Sequence, residues 1–332
     1  MPKHVVIRTD ASRIMGHGHV MRCVTLAEAL RSRGVRIVFI CREHEGHLCE
    51  FIEQRGFEVN RLPQAPPGES AQDGRIYVEW LGATWEEDLS GTRTAVAQLA
   101  VQPDWLIVDH YAIDNRWERG VRSMVRHLMV IDDLADRAHD CDVLLDQNLV
   151  EHMETRYMGK VPEYACTLLG TDYSLLQPVY AEWHVRAKVR CGPIRRLFVY
   201  FGGADNDNLT GRTLEAILRL NRPDIEADVV LAAGALHGDA IRTQVAGCRN
   251  IHLHHQLPTL APLMNNADLA IGAGGTTSWE RLCLGLPAIV ITLAANQRPV
   301  ADCLSRRNLI RWLGDKDEAD AASIFRALSE VT

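Results

Sequence analysis

RTDASRIMGHGHVMRCVTL, residues 8–26, is the stretch on which the fold turns. Just before it, Val5-Val6-Ile7 is an apolar run that reads as a buried strand ending at Asp10. A loop with Gly16 and Gly18 follows. The apolar positions then change to helical spacing, at Val20, Cys23, Val24, Ala27 and Leu30. Strand, glycine turn and helix in that order aim the first N–H groups of the helix at a ligand. Glycine lets a ligand come close to the backbone. The turn also carries His17 and His19, and histidine is the side chain suited to proton transfer near neutral pH.

Working outward, 332 residues suit two α/β domains, and 47% hydrophobic content is ample for their cores. A net charge of −7, with no Lys/Arg block, argues against nucleic acid or an anionic membrane as partner. No apolar run approaches the roughly 20 residues of a membrane span. The N-terminus, MPKHVVIRTD, runs straight into the strand, so no signal peptide is expected. Nine cysteines, an odd number without CxxC spacing, sit among apolar residues (Cys23, Cys41, Cys283) and read as reduced thiols of a cytoplasmic protein.

Along the first half, the pattern predicts strands at 36–41, 58–61, 105–108, 128–131 and 141–145. It predicts helices near 46–55, 84–101 and 115–125. Pro63–Gly74 reads as loop, and Val150–Gly192 as irregular. Several strands end in polar clusters, Asp109-His110-Tyr111, Asp132-Asp133 and Asp146-Gln147-Asn148, where open α/β sheets place ligands. The second half alternates more strictly. Strands are expected at 197–201, 227–232, 251–254, 269–271, 288–291 and 309–312, and helices at 209–220, 239–245, 259–265, 277–284, 299–307 and 319–329. Continuous apolar strands alternating with helices argue for a parallel sheet covered on both faces. The domain junction is placed near Lys188–Gly192, giving domains 1–190 and 191–332, with the last helix able to pack on either.

Three constellations carry possible chemistry. Gly272-Ala-Gly-Gly-Thr-Thr-Ser-Trp-Glu280 lies between a strand and a helix, where N–H groups and the helix dipole suit a diphosphate. Thr277-x-x-Glu280 also matches a capping box, in which Glu280 serves only its own helix. The residues alone leave both readings open. Phe201-Gly-Gly-Ala-Asp-Asn-Asp-Asn208 lacks both the GxGxxG spacing and the P-loop lysine. Its Asp207 or Asn208 suits a helix cap. His17-Gly-His19, with Asp109, Asp132 and Asp133, is a poor metal set, since no HExxH or DxH motif fixes a ligand shell. The Asp132-Asp133 pair reads equally as a cap or an ion pair with Arg137.

Arg8-Thr-Asp-Ala-Ser followed by Gly16-x-Gly-His-Val-Met-Arg-Cys23 resembles the N-terminal motif of a known family. These are the UDP-2,4-diacetamido-2,4,6-trideoxy-β-L-altropyranose hydrolases of pseudaminic acid biosynthesis, relatives of the MurG-type glycosyltransferases. The likeness continues through Val108-Asp-His-Tyr111, Val130–Asp142, Leu145-Asp-Gln-Asn148, Phe201–Asp205, Gly272–Glu280 and Ala295-Asn-Gln297. Gly272–Glu280 is shared with the wider transferase superfamily. Gln177 departs from the family, which more often has Arg there, and Met15 is also less usual.

The resemblance implies a GT-B architecture, two Rossmann-like doubly wound domains facing across a cleft, with UDP on the C-terminal domain and the catalytic groups on the N-terminal one. It implies His19, Tyr111 and Asn296 as catalytic residues, His17 falling at the variable position. It implies substrate binding by Asp10, Gly16, Gly18, Arg22, Gly203, Gly275, Thr276, Thr277, Glu280 and Gln297, with Glu280 on the ribose hydroxyls. It further implies inverting hydrolysis of the sugar C1–O bond with release of UDP, without cofactor or metal, in a monomer whose partner is a UDP-sugar. The alternatives are a MurG-like glycosyltransferase and a nucleotide-sugar binding protein without catalysis.

Overall fold

The computed structural model describes residues 3–64, 77–203, 205–232, 235–255 and 257–332. Residues 65–74 of the expected Pro63–Gly74 loop lie outside the described residues, as does Ala204 of the Phe201–Asp205 motif.

The chain divides into two units, Met1–Leu175 and Leu176–Thr332. In the first, β1 (His4–Thr9), α1 (Gly18–Arg31), β2 (Arg36–Arg42), α2 (Cys49–Gln54) and β3 (Glu58–Leu62) are followed by a 3-10 turn, Val78–Leu81. Then come α3 (Trp85–Ala97), β4 (Trp105–Asp109), α4 (Asn115–Val121), β5 (His127–Ile131), β6 (Val143–Asp146) and β7 (Cys166–Leu169). The seven strands are all parallel, in the order β3-β2-β1-β4-β5-β6-β7. Successive residues of a strand point to opposite faces. Val5 and Ile7 therefore pack on α1 through Val20, Cys23 and Val24, while Val6 and Leu106 pack with α3 and α4 through Val96, Trp117 and Val121. Both faces are covered, which is why these strands read as unbroken apolar runs.

The second unit contains α5 (Pro178–His184), β8 (Arg196–Tyr200), α6 (Leu209–Leu220), β9 (Glu226–Leu231), α7 (Gly238–Gln244), β10 (Ile251–His255) and α8 (Ala261–Asn266). It continues with β11 (Leu269–Ala273), α9 (Thr277–Cys283), β12 (Ala288–Thr292), α10 (Arg298–Arg306), β13 (Arg311–Asp315) and α11 (Ala321–Ser329). Its parallel sheet has the order β10-β9-β8-β11-β12-β13. The last helix packs on α6, where Ile324, Ala327 and Leu328 join Leu214 and Ile217.

In each sheet the order reverses beside its first strand, between β1 and β4 and between β8 and β11. The C-terminal ends of strands at such a reversal are where doubly wound sheets hold ligands. Val150–Gly192 holds more order than expected. β7 is a short edge strand, and α5 starts at Pro178 and buries Tyr180 against Met264 and Leu284. That packing assigns α5 to the second unit, so the boundary lies at 175/176 rather than at 190/191.

Candidate active site

β1 ends at Thr9, which pairs in register with Asp109 at the end of β4. The chain then turns at Gly16, whose φ of 77° suits glycine and whose N–H donates to the Ser12 carbonyl at 2.8 Å. Gly18 opens α1, and His19 in its first turn is buried. Its Nδ1 lies 2.6 Å from Asp109 Oδ1. One turn on, Arg22 grips the same carboxylate, Nε donating to Oδ2 at 2.6 Å and Nη2 to Oδ1 at 2.7 Å. Its Nη1 donates to Asp133 Oδ2 at 2.9 Å, and the Tyr111 hydroxyl donates to Asp133 Oδ1 at 2.5 Å. Arg22 Nη2 also lies 3.3 Å from His19 Nδ1, but the shorter contact to a carboxylate assigns the Nδ1 proton to the Asp109 bond. That tautomer leaves Nε2 with a lone pair.

Burial alone would push the Asp109 carboxyl up, but Arg22 and His19, by charge and hydrogen bonding, hold it well below the usual carboxylate range. Burial, reinforced by Asp133, pushes the Tyr111 phenol well up, so its proton stays in place. Burial lowers His17, which gains no carboxylate to offset it. Further along the strand ends, Asp132 pairs with Arg137 at 2.8 Å, the ion-pair alternative read from sequence. Asp146 is pushed up to about 7, first by burial and then by the charge of Asp133.

Asp10 and Arg22 are placed differently from their expected contact with substrate. Asp10 is wholly buried. Arg8 donates to both of its oxygens, at 2.5 and 2.8 Å, and the Arg42 backbone N–H donates to Oδ1 at 2.6 Å. Arg8 and Arg42 also bind Asp88, at 2.6 and 2.7 Å. Asp10 is thus a member of an internal charge network under the loop. Arg22 is 4% exposed and acts on Asp109 and Asp133.

In the second unit, β11 leads through Gly274 and Gly275 into α9. The capping-box alternative is not realised. Thr276, not Thr277, is the N-cap, and it makes no side-chain capping bond. Glu280 is half-buried and shares a hydrogen bond with the Tyr180 hydroxyl. Among the described residues its Oε2 is enclosed without a hydrogen-bond partner, and burial pushes its carboxyl up to about 7 despite Tyr180 and Arg281. Gln297 Oε1 accepts from the Leu293 N–H at 2.8 Å. A Cβ on Gly274 would sit 3.4 Å from that oxygen, so Gln297 braces the glycine loop. Asn296 is half-buried in the short 3-10 turn Ala295–Gln297. Gly203 is half-buried in the turn after β8. Beyond it Asn208 caps α6 by accepting from Gly211 N–H at 3.2 Å, whereas Asp207 pairs with Lys316 at 2.8 Å.

The structure therefore gathers His19, Arg22 and Tyr111 with Gly16 and Gly18 nearby in the first unit, and Gly275, Thr276, Thr277, Glu280 and Gln297 in the second. From sequence, Asp109 stood in a polar strand-end cluster, in the Val108–Tyr111 motif and in the metal set, but its bond to His19 was missed. It also missed Tyr77 and Trp80, whose rings join Tyr111 beside the histidine. Its place at the end of an apolar strand marked Asp109 as facing a ligand site, but not which side chain it would hold. Among the described residues, no group of three His, Cys, Asp or Glu side chains is arranged to hold a metal ion, and no helix is long and apolar enough to cross a membrane.

No protein-family model matches the chain. An uncharacterized protein of Methanocaldococcus jannaschii is 24% identical over 306 residues, 90% of this chain and 57% of that one. This chain thus spans little more than half of that relative. The UDP-2,4-diacetamido-2,4,6-trideoxy-beta-L-altropyranose hydrolase of Campylobacter jejuni is 25% identical over 307 residues, 91% of this chain and 96% of that one. The likeness read from the motifs thus extends over nearly the whole chain. Among solved structures, Acinetobacter baumannii MurG has a TM-score of 0.63 at 13% identity, covering 99% of this chain and 90% of that one. Arabidopsis thaliana UGT89C1 complexed with UDP-L-rhamnose has a TM-score of 0.67 at 12% identity, covering 100% and 90%. The fold is of the GT-B kind, built of two Rossmann-like domains.

Proposed function

We propose that this protein hydrolyses a UDP-linked 2,4-diacetamido-2,4,6-trideoxyhexose, releasing UDP and the free sugar. The observation that carries the reading is the His19–Asp109 bond at 2.6 Å, with Arg22 fixing the carboxylate from its other side. Asp109 holds the Nδ1 proton, so Nε2 can take a proton from water. The water oxygen bonds to C1 on the face opposite the leaving group. The C1–O bond breaks with its electron pair going to the diphosphate, and the anomeric configuration inverts. Among the described residues Nε2 has no protein hydrogen-bond partner and is not enclosed, which suits that role. Tyr111 packs its ring at right angles to the imidazole, 4.4 Å away, and limits its rotation.

The second unit would hold the UDP. Backbone N–H groups at Gly275, Thr276 and Thr277 suit the diphosphate, and Glu280 suits the ribose hydroxyls. Asn296 and Gln297 would meet the sugar side of the ligand. The step as written needs no metal, and excess chelator is expected to leave activity intact. All nine cysteines are free, as fits a reducing compartment such as the cytoplasm. The family resemblance of the motifs supports the reading that the freed sugar enters pseudaminic acid biosynthesis.

The likeness to MurG favours a second reading, transfer of the sugar to an acceptor. Incubation with a panel of UDP-sugars separates the two. Hydrolysis predicts stoichiometric UDP and free inverted sugar with no acceptor present. His19→Ala is expected to lower turnover about 10²–10⁴-fold while UDP affinity holds. An unchanged rate would falsify the assignment of the base.

A further inference from the structure

Tyr77, Trp80 and Tyr111 form an aromatic cluster at His19. Trp80 stacks on Tyr111 with ring centroids 5.6 Å apart and planes 25° apart. Tyr77 meets Trp80 at 4.7 Å and Tyr111 at 5.1 Å. The imidazole stands edge-on to Tyr111 and, at 6.3 Å, to Trp80. Trp80 is only half-buried, whereas its neighbour Leu81 is 2% exposed. Among the described residues the Trp80 indole N–H donates to no protein acceptor. Leu81 therefore anchors the turn and Trp80 presents a ring.

The turn is held firmly. Gly82 ends it at φ 63°, and a Cβ there would lie 2.6 Å from His44 Cε1. His44 in turn faces Asp10 Oδ2 at 3.4 Å, and Asp88 in α3 is gripped by Arg8 and Arg42. The internal charge network thus backs the turn that carries this large, partly open aromatic ring, centred 6.3 Å from the ring of the proposed base. An indole face attracts polarised C–H groups and excludes water, and its N–H is a donor for an oxygen at the ring edge.

We infer that Trp80 is the specificity-determining platform for the sugar, stacking on its C–H face and favouring a hexose with a methyl group at C6 over one with a hydroxymethyl group. This rests on the reading that the substrate is a UDP-hexose. A methyl against the ring face loses little hydration, whereas a hydroxymethyl group laid on the same face gives up water that an aromatic face does not replace.

The test compares wild type, Trp80→Phe and Trp80→Ala for UDP release from UDP-N-acetylglucosamine and from its 6-deoxy counterpart. Binding of both sugars and of UDP alone is measured by calorimetry on a His19→Ala background. Trp80→Ala is expected to raise KM for the 6-deoxy substrate about tenfold, with a smaller change in kcat. It should shrink the preference over UDP-N-acetylglucosamine by a similar factor and leave UDP affinity unchanged. Trp80→Phe should restore most of the loss. An unchanged KM and preference in Trp80→Ala overturns the inference. So does a loss that Phe does not rescue and that extends to UDP alone, since that is a structural effect. Should wild type release no UDP from any sugar, the hydrolase reading fails. The binding arm then decides the platform by itself: weaker UDP-hexose binding with UDP binding intact supports it, and equal binding overturns it.

Discussion

Asp109 closes β4 in the first unit, and Glu280 stands in α9 just past β11 in the second. Both strands flank the first strand of their sheet, and burial pushes both carboxyls up. The outcomes are opposite. A two-pronged Arg22 and the His19 ring hold Asp109 ionised. Glu280 has one tyrosine hydroxyl and the more distant charge of Arg281, and rises to about 7. Arg281 spends Nη2 on the Ala273 carbonyl and the Ser278 hydroxyl, at 2.8 and 3.0 Å, and burial lowers it to about 10. Among the described residues Glu280 Oε2 and Arg281 Nε are both enclosed without hydrogen-bond partners. Charge compensated from within gives a fixed geometry in advance of binding, as a proton-transferring group requires. Polar capacity left over is what a ligand hydroxyl can use.

The contrast can be broken at three places. Asp109→Asn should have the largest effect. It leaves Arg22 and His19 facing an amide, so about 3–5 kcal/mol of stability should be lost, and kcat should fall at least about 10²-fold. Urea unfolding and the rate of UDP release measure the two. Arg281→Met comes next. It removes two hydrogen bonds from a cation that forms no ion pair among the described residues, so the expected cost is about 1–2 kcal/mol. A cost matching that of Asp109→Asn would erase the distinction between the sites.

The smallest effect is a change of slope with pH. The Glu280 carboxyl is raised in the folded state, so its contribution to stability is complete below its ordinary value of 4.5 and is lost as pH rises through about 7. Asp146 acts in the same direction over the same range. Melting temperature should therefore fall with rising pH in that window, and Glu280→Gln should flatten the fall in part. An identical slope in the variant would show that Glu280 is not the raised group.

Most strands and helices were legible because both faces of each sheet are buried, and unbroken runs such as Leu-Ile-Val at 106–108 have few other readings. β7 was not legible: its first residues are exposed at a sheet edge, and four residues carry little pattern. α5 was missed because Tyr180 alone among its residues is buried. His19 stood out through its motif. The role of Asp109 did not, because it depends on which strand lies beside β1, and periodicity is silent on strand order. The interior place of Asp10 was hidden for the same reason: Arg42 arrives from β2 and Asp88 from α3. Trp80 lies in a short turn with no periodicity at all.

The strand order also bears on how the protein comes to be active. His19 and Asp109 are 90 residues apart in the chain, and they meet only once β4 has settled against β1, past β2 and β3. Pairing across so long a stretch is the slow, entropically costly part of assembling such a sheet. A chain with its helices and the β1–β2–β3 pairings in place would already look folded to circular dichroism while His19 still lacked Asp109. Catalytic competence in refolding should thus appear in step with the central pairing, and so mark the moment at which the first sheet becomes whole.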